Sequence, residues 1–351
     1  MTRLALVVPG LIWPSPQALH PAGEIPHAAL ARLLGRGQWR MEPAISFDDL
    51  LARLLGRKRA LPLAALRRLG EEGGHVGEHA QDDENAHWLC ADPVNLSFMG
   101  AHVLLDEFNE DEGEIDAAEA TALVASLNEE FAGLGHFWAA TPTRWYLRMG
   151  RPAKARFFPL DEAVCRPVQD YLPTEGENGE NDARHWRHML NEIQVMLHNH
   201  PVNIAREAAG RRPVNSVWFW GSGIPSLPDT PDMTGCAVQT ADPVACGLAR
   251  TAGIEPEALD VGRALRVDTL AVLGTLAFSA RHLDFMRWQD ALAALEQEWF
   301  VPVARAFDGG GLRSLVLHVP GERAGFSLTL GGGARWRFWR KPLPLPGLPL
   351  T

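Results

Sequence analysis

The sequence predicts an α/β fold that carries an inserted α+β portion. Strand and helix patterns alternate along most of the 351 residues, which is typical of a sheet flanked by helices. A buried strand is indicated at 3–8, and further strands and helices follow residue 200. Paired strands and a long helix between these regions predict the insertion. We therefore expect a core formed by 1–85 and 201–351, an α+β subdomain at 86–200, and a proline-rich arm at 342–351.

Helical periodicity predicts three helices before residue 86, at 25–34, 47–55 and 61–69. The second has a clear start, because Ser46 is a good N-cap and acidic residues follow in the first turn. A polar, glycine-rich break at 71–85 is expected to be a solvated loop. Its glycines prevent the helical alignment that a metal site of the HExxH kind needs. The potential metal ligands in and beside this break are His75, His79, Asp82, Asp83, Glu84 and His87.

The insertion begins with two strand patterns separated by a short turn. The predicted elements are strands at 87–90 and 101–105, a helix at 117–131, strands at 136–140 and 144–149, and a helix at 183–198. Asp116 is the expected N-cap of the first helix. The acidic residues of 106–119 lack the spacing of a calcium loop and favour a solvated surface.

The remaining third of the chain returns to alternating elements. The predictions are strands at 215–220 and 236–240, helices at 243–252, 269–278 and 289–307, and an antiparallel set at 312–318, 326–330 and 336–340.

The composition argues against several classes of protein. With 46% hydrophobic and 22% charged residues, the chain can bury a large core and is not disordered as a whole. A net charge of −10 disfavours a nucleic-acid partner. Four widely spaced cysteines favour reduced thiols in a cytosol. The early apolar run is broken by Pro9, Gly10 and Pro14, so we expect neither a signal peptide nor a membrane span, and a cytoplasmic location.

The most specific stretch is HPVNIAREAAGRRPVNSVWFWGSG, at 200–223. It joins a short basic helix to an aromatic strand, and glycines at 221 and 223 allow a sharp turn afterwards. Guanidinium groups match phosphate and carboxylate oxygens, so this segment could meet an anionic ligand. The basic residues concerned are His200, Arg206, Arg211 and Arg212.

This stretch resembles the HPVN-x-x-R-x-x-x-G-x-x-P-x-N-x-x-W-x-W-G-x-G signature of archaeal-type, cofactor-independent phosphoglycerate mutases, which belong to the alkaline-phosphatase-like superfamily. Ala91-Asp92-Pro93-Val94-Asn95-Leu96 resembles the family's ADPV-x-L box, and 24–33 is similar to its early TPNLD-x-LA helix. Within the family, the chain most resembles the shorter proteobacterial group of RpfE-type regulatory, phosphoglycerate mutase-like proteins. The resemblance runs from about residue 86 to about residue 225.

The resemblance implies an alkaline-phosphatase-like sheet flanked by helices and a pocket for a phosphorylated metabolite. By matching the motifs, that pocket would be lined by His200, Asn203 and Arg206, with Asp92 and Asn95 contributing from the earlier box. For the histidine, capping of the C-terminal end of the preceding helix is the alternative.

The family's reaction needs a two-metal centre, with Asp and His ligands from the loop after the first strand and from late motifs. Here the first loop, 8–13, contains no carboxylate. The late motifs are reduced to Arg281-His282-Leu283-Asp284 and Leu317-His318-Val319-Pro320. We therefore expect no cofactor, and a degenerate, non-catalytic protein with a regulatory role.

Two alternatives stay open. An active metal-dependent phosphoglycerate mutase or phosphatase would use relocated ligands for Mn, Zn or Mg, namely His282, Asp284 and His318, with Ser46 as a weak candidate nucleophile. A protein-interaction scaffold would instead dock a partner through the acidic loop and the proline-rich tail, without a small ligand.

Overall fold

The computed structural model describes residues 2–15, 20–23, 25–55, 61–71, 86–110, 112–176, 182–223 and 235–348. The expected mixed α/β class is confirmed, and the chain divides into two compact units. The sheet unit comprises 1–60 and 227–351, and the inserted unit comprises 61–226. In the sequence, the inserted unit thus interrupts the sheet unit. It begins at residue 61 and ends at residue 226, whereas 86 and 200 were expected.

Strands and helices alternate along both units. The described strands are β1 (Thr2–Val7), β2 (Gln38–Ile45), β3 (His87–Met99), β4 (His102–Glu107), β5 (His136–Ala139), β6 (Trp145–Met149), β7 (Ser216–Gly223), β8 (Ala237–Gln239), β9 (Thr269–Val272), β10 (Leu312–Val319) and β11 (Gly321–Gly331). The described helices are α1 (Ala28–Arg36), α2 (Phe47–Leu54), α3 (Leu63–Glu71), α4 (Ala117–Glu130), α5 (Leu160–Ala163), α6 (Asp182–His198), α7 (Pro201–Ala208), α8 (Pro243–Thr251), α9 (Val261–Ala264), α10 (Ala277–Arg281), α11 (Phe285–Leu295) and α12 (Val301–Asp308).

Among the described residues, the sheet unit contains one six-stranded sheet in the order β2, β11, β10, β1, β9, β8. The four strands β10, β1, β9 and β8 are parallel, and β11 and β2 add an antiparallel edge. At the end of β1, Val7 lies opposite His318 on one side and Val272 on the other. The carboxyl ends of three parallel strands therefore meet at one edge, the place where open α/β sheets usually bind ligands.

Helices of the sheet unit bury apolar faces against this sheet. The core includes Leu4 and Leu6 of β1, Leu30 of α1, Trp288 of α11 and Phe307 of α12. The N-terminus of α1 is capped from a distance: the carboxylate of the buried Glu296 accepts hydrogen bonds from the backbone N–H groups of Ala29 and Leu30, at 2.6 and 3.2 Å. An anion at a helix N-terminus satisfies N–H groups that have no partner within the helix.

Two predictions for the sheet unit were wrong. The stretch 269–278 was expected to be a helix, but it begins with the buried strand β9, because a short apolar run fits either structure and pairing with β1 decides between them. The stretch 336–340 was expected to be a strand, but a 3₁₀ turn at Gly332–Trp336 continues into further turns. The strand β2 was missed, since Pro43 interrupts its pattern; as an edge strand it tolerates that proline.

The proline-rich segment was expected to be an extended arm, but its described residues, 342–348, are bound to the rest of the sheet unit. The backbone N–H of Leu343 donates to Ala31 O at 2.9 Å, and that of Leu345 donates to His27 Nε2 at 3.2 Å. Leu345 is buried in the core of the sheet unit. Residues 342–348 therefore pack against α1.

In the inserted unit, β3 is the central strand of an antiparallel sheet. The order is β4, β3, β6, β5, and β7 also pairs with β3. Helices α4 and α6 cover the sheet with a core that includes Leu123, Trp186, Ile193 and Phe219. The expected boundaries at 86 and 200 differ from the observed ones because β7 completes this sheet and α3 packs on β7 near Gly221.

Within the described parts of the chain, every helix is too short or too polar to traverse a lipid bilayer.

Candidate functional site

The two sequence motifs meet in the inserted unit, because β3 carries the first and β7 carries the end of the second. Asp92 lies opposite Trp218 in the antiparallel register, and Asn95 Nδ2 donates to Pro213 O at 2.8 Å. Asn215 completes the link, since its amide exchanges two hydrogen bonds with the backbone of Leu96. Motifs that are more than 100 residues apart in the sequence thus form one continuous patch of structure.

Asp92 is buried and accepts four hydrogen bonds. Two come from the guanidinium of Arg67, at 2.7 and 2.8 Å, one from the backbone N–H of Trp145 at 3.1 Å, and one from Trp220 Nε1 at 2.8 Å. Charge-assisted, bidentate hydrogen bonds of this kind are the strongest that proteins form. The carboxylate therefore ties β3 to α3, β6 and β7.

Arg67, the partner of Asp92, was missed by sequence reasoning. Its side chain is buried, Nε donates to Tyr146 Oη at 2.9 Å, and its Cζ lies 4.7 Å from the Tyr146 ring centroid and 5.0 Å from that of Trp220. Although burial opposes ionisation, Asp92 holds the pKa of Arg67 well above its ordinary value. The sequence did contain a signal: Arg67 directly follows the apolar residues of α3 that end with Leu66, so a charged side chain extends the apolar stripe of this helix.

His200 acts as the N-cap of α7. Its Nδ1 accepts from the backbone N–H of Val202 at 3.2 Å, so the ring proton lies on Nε2, which donates to Ser126 Oγ at 3.0 Å. Burial lowers the pKa of His200, which favours this neutral tautomer. The capping alternative expected this histidine to cap the C-terminal end of α6, whereas the structure shows a neutral ring that caps the start of α7.

Asn203 is 1% exposed, and its amide is fully engaged with the backbone. Nδ2 donates to Leu197 O and to Val214 O, and Oδ1 accepts from the Val214 N–H, each at 2.8 Å. The side chain thus fastens the end of α6 to the segment that enters β7.

Arg206 is also 1% exposed and binds three groups of the protein. Nε donates to Arg212 O at 2.8 Å, and Nη1 donates to Glu114 O at 2.9 Å and to Glu119 Oε2 at 2.6 Å. Arg211 pairs with the same Glu119. The acidic segment that we expected to be a solvated surface is therefore, in part, the counter-charge of the basic helix.

Arg212 extends this network toward β4. It forms ion pairs with Asp106 and, at 2.6 Å, with Glu114. The basic residues of the signature and three acidic residues of 106–119 thus neutralise one another. The ligand-binding role expected for Asp92, Asn203 and Arg206 stays a prediction, and their described contacts account for these residues as parts of the scaffold.

Comparison with known proteins gives this patch a family context. Residues 97–203 match the family model for 2,3-bisphosphoglycerate-independent phosphoglycerate mutase. This part of the chain is similar to that family, and the match covers less than a third of the 351 residues. The matched segment lies entirely within the inserted unit.

Two curated relatives show the extent of the similarity. The chain is 31% identical over 189 residues to 2,3-bisphosphoglycerate-independent phosphoglycerate mutase 2 of Methanothermobacter thermautotrophicus, covering 52% of this chain and 44% of that protein. It is 27% identical over 153 residues to the corresponding mutase of Methanothrix thermoacetophila, covering 43% and 37%. The chain thus spans less than half the length of the curated relatives that it matches.

A solved structure shows the likeness in fold. The PH0037 protein from Pyrococcus horikoshii superimposes with a TM-score of 0.55 and 11% sequence identity, covering 99% of this chain and 91% of that one.

The resemblance to phosphoglycerate mutases implies a metal centre at the carboxyl ends of β1 and its neighbours. Here the loop after β1 turns into the core: Val8, Leu11 and Trp13 are buried, and Trp288 Nε1 donates to Gly10 O at 2.8 Å. Gly10 has a φ of +78°, and a Cβ there would lie 2.6 Å from Leu276 O, so the close turn requires glycine. Apolar packing occupies the position from which a ligand-bearing loop would reach out.

The weak metal candidates have local roles. Asp284 caps α11 by accepting from the Arg287 N–H at 3.0 Å. The ring of His282 stacks on Phe278 with centroids 4.1 Å apart, and its Nδ1 lies 3.1 Å from Phe278 O. Within neither unit do three described His, Cys, Asp or Glu side chains bring ligand atoms within 4.8 Å of one another. Within each unit, these candidates therefore do not assemble a two-metal centre.

Ser46, the weak candidate nucleophile, is the N-cap of α2. Its Oγ accepts from the Asp49 N–H at 3.1 Å, as the capping alternative predicts. Of the potential ligands near the glycine-rich break, only His87 lies within the described residues, as the half-buried first residue of β3.

His318 lies half-buried on β10, facing Glu42 and Arg53. Its Nδ1 is buried and has no hydrogen-bond partner among the described residues. Burial, assisted by Arg53 and opposed by Glu42, lowers its pKa from 6.5 to about 4. The folded state therefore strongly prefers the neutral ring.

This depressed pKa predicts an acid-sensitive fold. Because the folded pKa lies below the unfolded one, the contribution is complete above pH 6.5 and is lost as the pH falls to about 4. A shift of this size corresponds to about 3 kcal/mol. Relative to His318→Gln, which cannot ionise, the wild-type free energy of unfolding should fall by that amount over the interval. Urea titrations at several pH values measure it, and parallel pH curves for the two proteins would contradict it.

Proposed function

We propose that this chain is a non-catalytic, regulatory phosphoglycerate mutase-like protein of the RpfE type, acting in the cytoplasm. One observation carries the proposal: in the loop after β1, where ligands of catalytic metals would lie, Val8, Leu11 and Trp13 are buried in the core, and this loop contains no carboxylate. Metal-assisted transfer of a phosphoryl group needs ligands that converge on the ions, and the described residues of this loop supply none.

The distribution of the similarity supports the same proposal. The match to the mutase family, 97–203, lies in the inserted unit, whereas the sheet whose edge would hold the metals lies in the other unit. In the inserted unit, the basic and amide side chains of the signature bind backbone groups and acidic side chains of the same unit. A scaffold retained for its shape, rather than for its chemistry, accounts for both features.

A phosphorylated metabolite could reach only the exposed arginine side chains of the signature. Arg211 and Arg212 expose 44% and 37% of their side chains, whereas Arg206 exposes 1%. If such a ligand takes part in regulation, the accessible guanidinium groups are those of Arg211 and Arg212. Their ion pairs with Glu119, Asp106 and Glu114 would compete with it.

A coupled assay of 3- and 2-phosphoglycerate interconversion tests the proposal. The full chain should show no turnover above the enzyme-free blank, with or without manganese. The Methanothermobacter relative, prepared in the same way, serves as the positive control. Release of phosphate from phosphoglycerate, measured in the same samples, covers the phosphatase alternative.

Ser46→Asn is the matched variant for this assay. Asparagine caps a helix as well as serine does but has no hydroxyl group, so it separates the structural role from the nucleophilic one. We expect Ser46→Asn to keep the wild-type melting temperature, and Ser46→Ala to lose about 1 kcal/mol of stability. Manganese-stimulated turnover that disappears in Ser46→Asn would establish the enzyme alternative and overturn the proposal.

A further inference from the structure

Three large aromatic side chains of the sheet unit, close together in the sequence, are exposed to solvent. Trp336, Phe338 and Trp339 are 62%, 72% and 69% exposed. Burial of such side chains contributes strongly to stability, and contiguous exposed apolar patches mark interaction sites. We name residues 335–341 the aromatic turn.

The aromatic turn is an ordered part of the fold. Its first two residues, Arg335 and Trp336, belong to the 3₁₀ turn Gly332–Trp336, in which Ala334 is buried. The backbone N–H of Arg337 donates to Ala334 O and that of Arg340 to Arg337 O, each at 3.1 Å. Beyond it, the chain is fastened to α1 at Leu343 and enters the core at Leu345. The rings thus project from a turn that is anchored on both sides.

The charge of the aromatic turn opposes that of the rest of the chain. Four cations lie among its seven residues, and no acidic residue follows Glu322, although the protein as a whole carries −10. The cations are Arg335, Arg337, Arg340 and Lys341. This interleaving of large rings with cations calls for a partner that is both anionic and able to accept apolar rings.

We propose that the aromatic turn binds the surface of an anionic lipid membrane. Trp and Phe rings settle at the level of the headgroups, where Arg and Lys side chains reach lipid phosphates. The rings project outward from a turn, and a fluid lipid surface can adapt to such a protrusion without a preformed pocket. This site lies in the sheet unit and does not depend on the proposed regulatory function.

Two contacts disfavour single-stranded nucleic acid as the occupant, since bases bind by stacking on free ring faces. The Arg335 guanidinium covers a face of Trp336, with Cζ 5.0 Å from the ring centroid. Phe338 and Trp339 pack edge to face, with centroids 5.5 Å apart at 80°.

Vesicle co-sedimentation of the full chain tests the proposal. At low salt, we expect binding to phosphatidylcholine vesicles that contain phosphatidylglycerol, and weak binding to phosphatidylcholine alone. The double variant Arg340→Gln, Lys341→Gln removes two exposed cations and should weaken binding roughly 25-fold, because each cation near an anionic surface contributes about fivefold. Molar salt should have a similar effect.

A triple variant, Trp336→Ser, Phe338→Ser and Trp339→Ser, should abolish binding while the melting temperature stays unchanged, because the rings are exposed. The control is Phe98→Ser with Met99→Ser, which removes apolar side chains, 87% and 66% exposed, at the end of β3 and should leave binding intact. Three outcomes overturn the proposal: no binding of the wild type to anionic vesicles, equal binding of the triple variant, or binding to a single-stranded oligonucleotide in place of vesicles.

Discussion

Replacing Asp92 with alanine is expected to destabilise the inserted unit by about 3–5 kcal/mol, because it leaves a buried guanidinium without its counter-charge. In the wild type, both carboxylate oxygens accept from Arg67, and the same carboxylate accepts from Trp145 and Trp220. All of these donors would lose an acceptor in a region that excludes water. Urea denaturation followed by far-UV circular dichroism measures the loss, and hydrogen exchange of the β3 amides assigns it to the inserted unit.

A double-mutant cycle separates the ion pair from the packing around it. Arg67→Met combined with Asp92→Leu removes both charges and keeps apolar volume, so it should cost less than the sum of the two single variants. We expect a coupling of about 2–3 kcal/mol, within the range measured for residues in one network. Two results would contradict this role of Asp92: losses of stability in Arg67→Met and Asp92→Leu that simply add in the double variant, or a loss below about 1 kcal/mol in Asp92→Ala. Either result would instead support a ligand-binding role for Asp92.

Local signals predicted elements well where the chain supplies its own boundary. The start of α4 is an example: Asp116 is the N-cap, as predicted, and accepts from the Glu119 N–H, while the Glu119 carboxylate accepts from the Asp116 N–H. The turn after the aromatic strand is another, because Gly221 adopts a φ of +71° and lies against Ala64. By contrast, β9 is four residues long, and only its parallel pairing with β1 and β8 distinguishes it from a helix.

The candidate site could be predicted only in outline. Motif matching placed Asp92 and Asn95 near the signature, and strand pairing brings them together. The partners that give these residues their roles come from distant elements: Arg67 on α3, Glu119 on α4, and backbone groups of Leu197 and Val214. No spacing rule connects such residues, because tertiary packing brings them together. A signature of basic and polar residues therefore fits a ligand pocket and a cross-linked scaffold equally well until the burial of each side chain is known.

Arg206 distinguishes these two interpretations in an experiment. Arg206→Met is expected to lose about 3–5 kcal/mol of stability, because the half-exposed Arg211 would be the one remaining cation described beside the buried Glu119. The backbone carbonyls of Glu114 and Arg212 would also lose a donor. A residue that served only to bind an anion would behave differently: its removal would leave the stability of the ligand-free protein unchanged or increase it.

Arg211→Gln is the matched control, since it removes the other guanidinium from the same carboxylate. Arg211 is 44% exposed, and an exposed ion pair contributes less than about 1 kcal/mol, so this variant should be nearly as stable as the wild type. Thermal melts with and without millimolar 3-phosphoglycerate complete the test, because a ligand that binds only the folded state raises the melting temperature. A ligand-induced rise that Arg206→Met abolishes, together with unchanged stability of the ligand-free variant, would assign Arg206 to a binding pocket. Equal losses with and without the ligand would place it in the scaffold, where its contacts with Glu119 and the backbone already hold it.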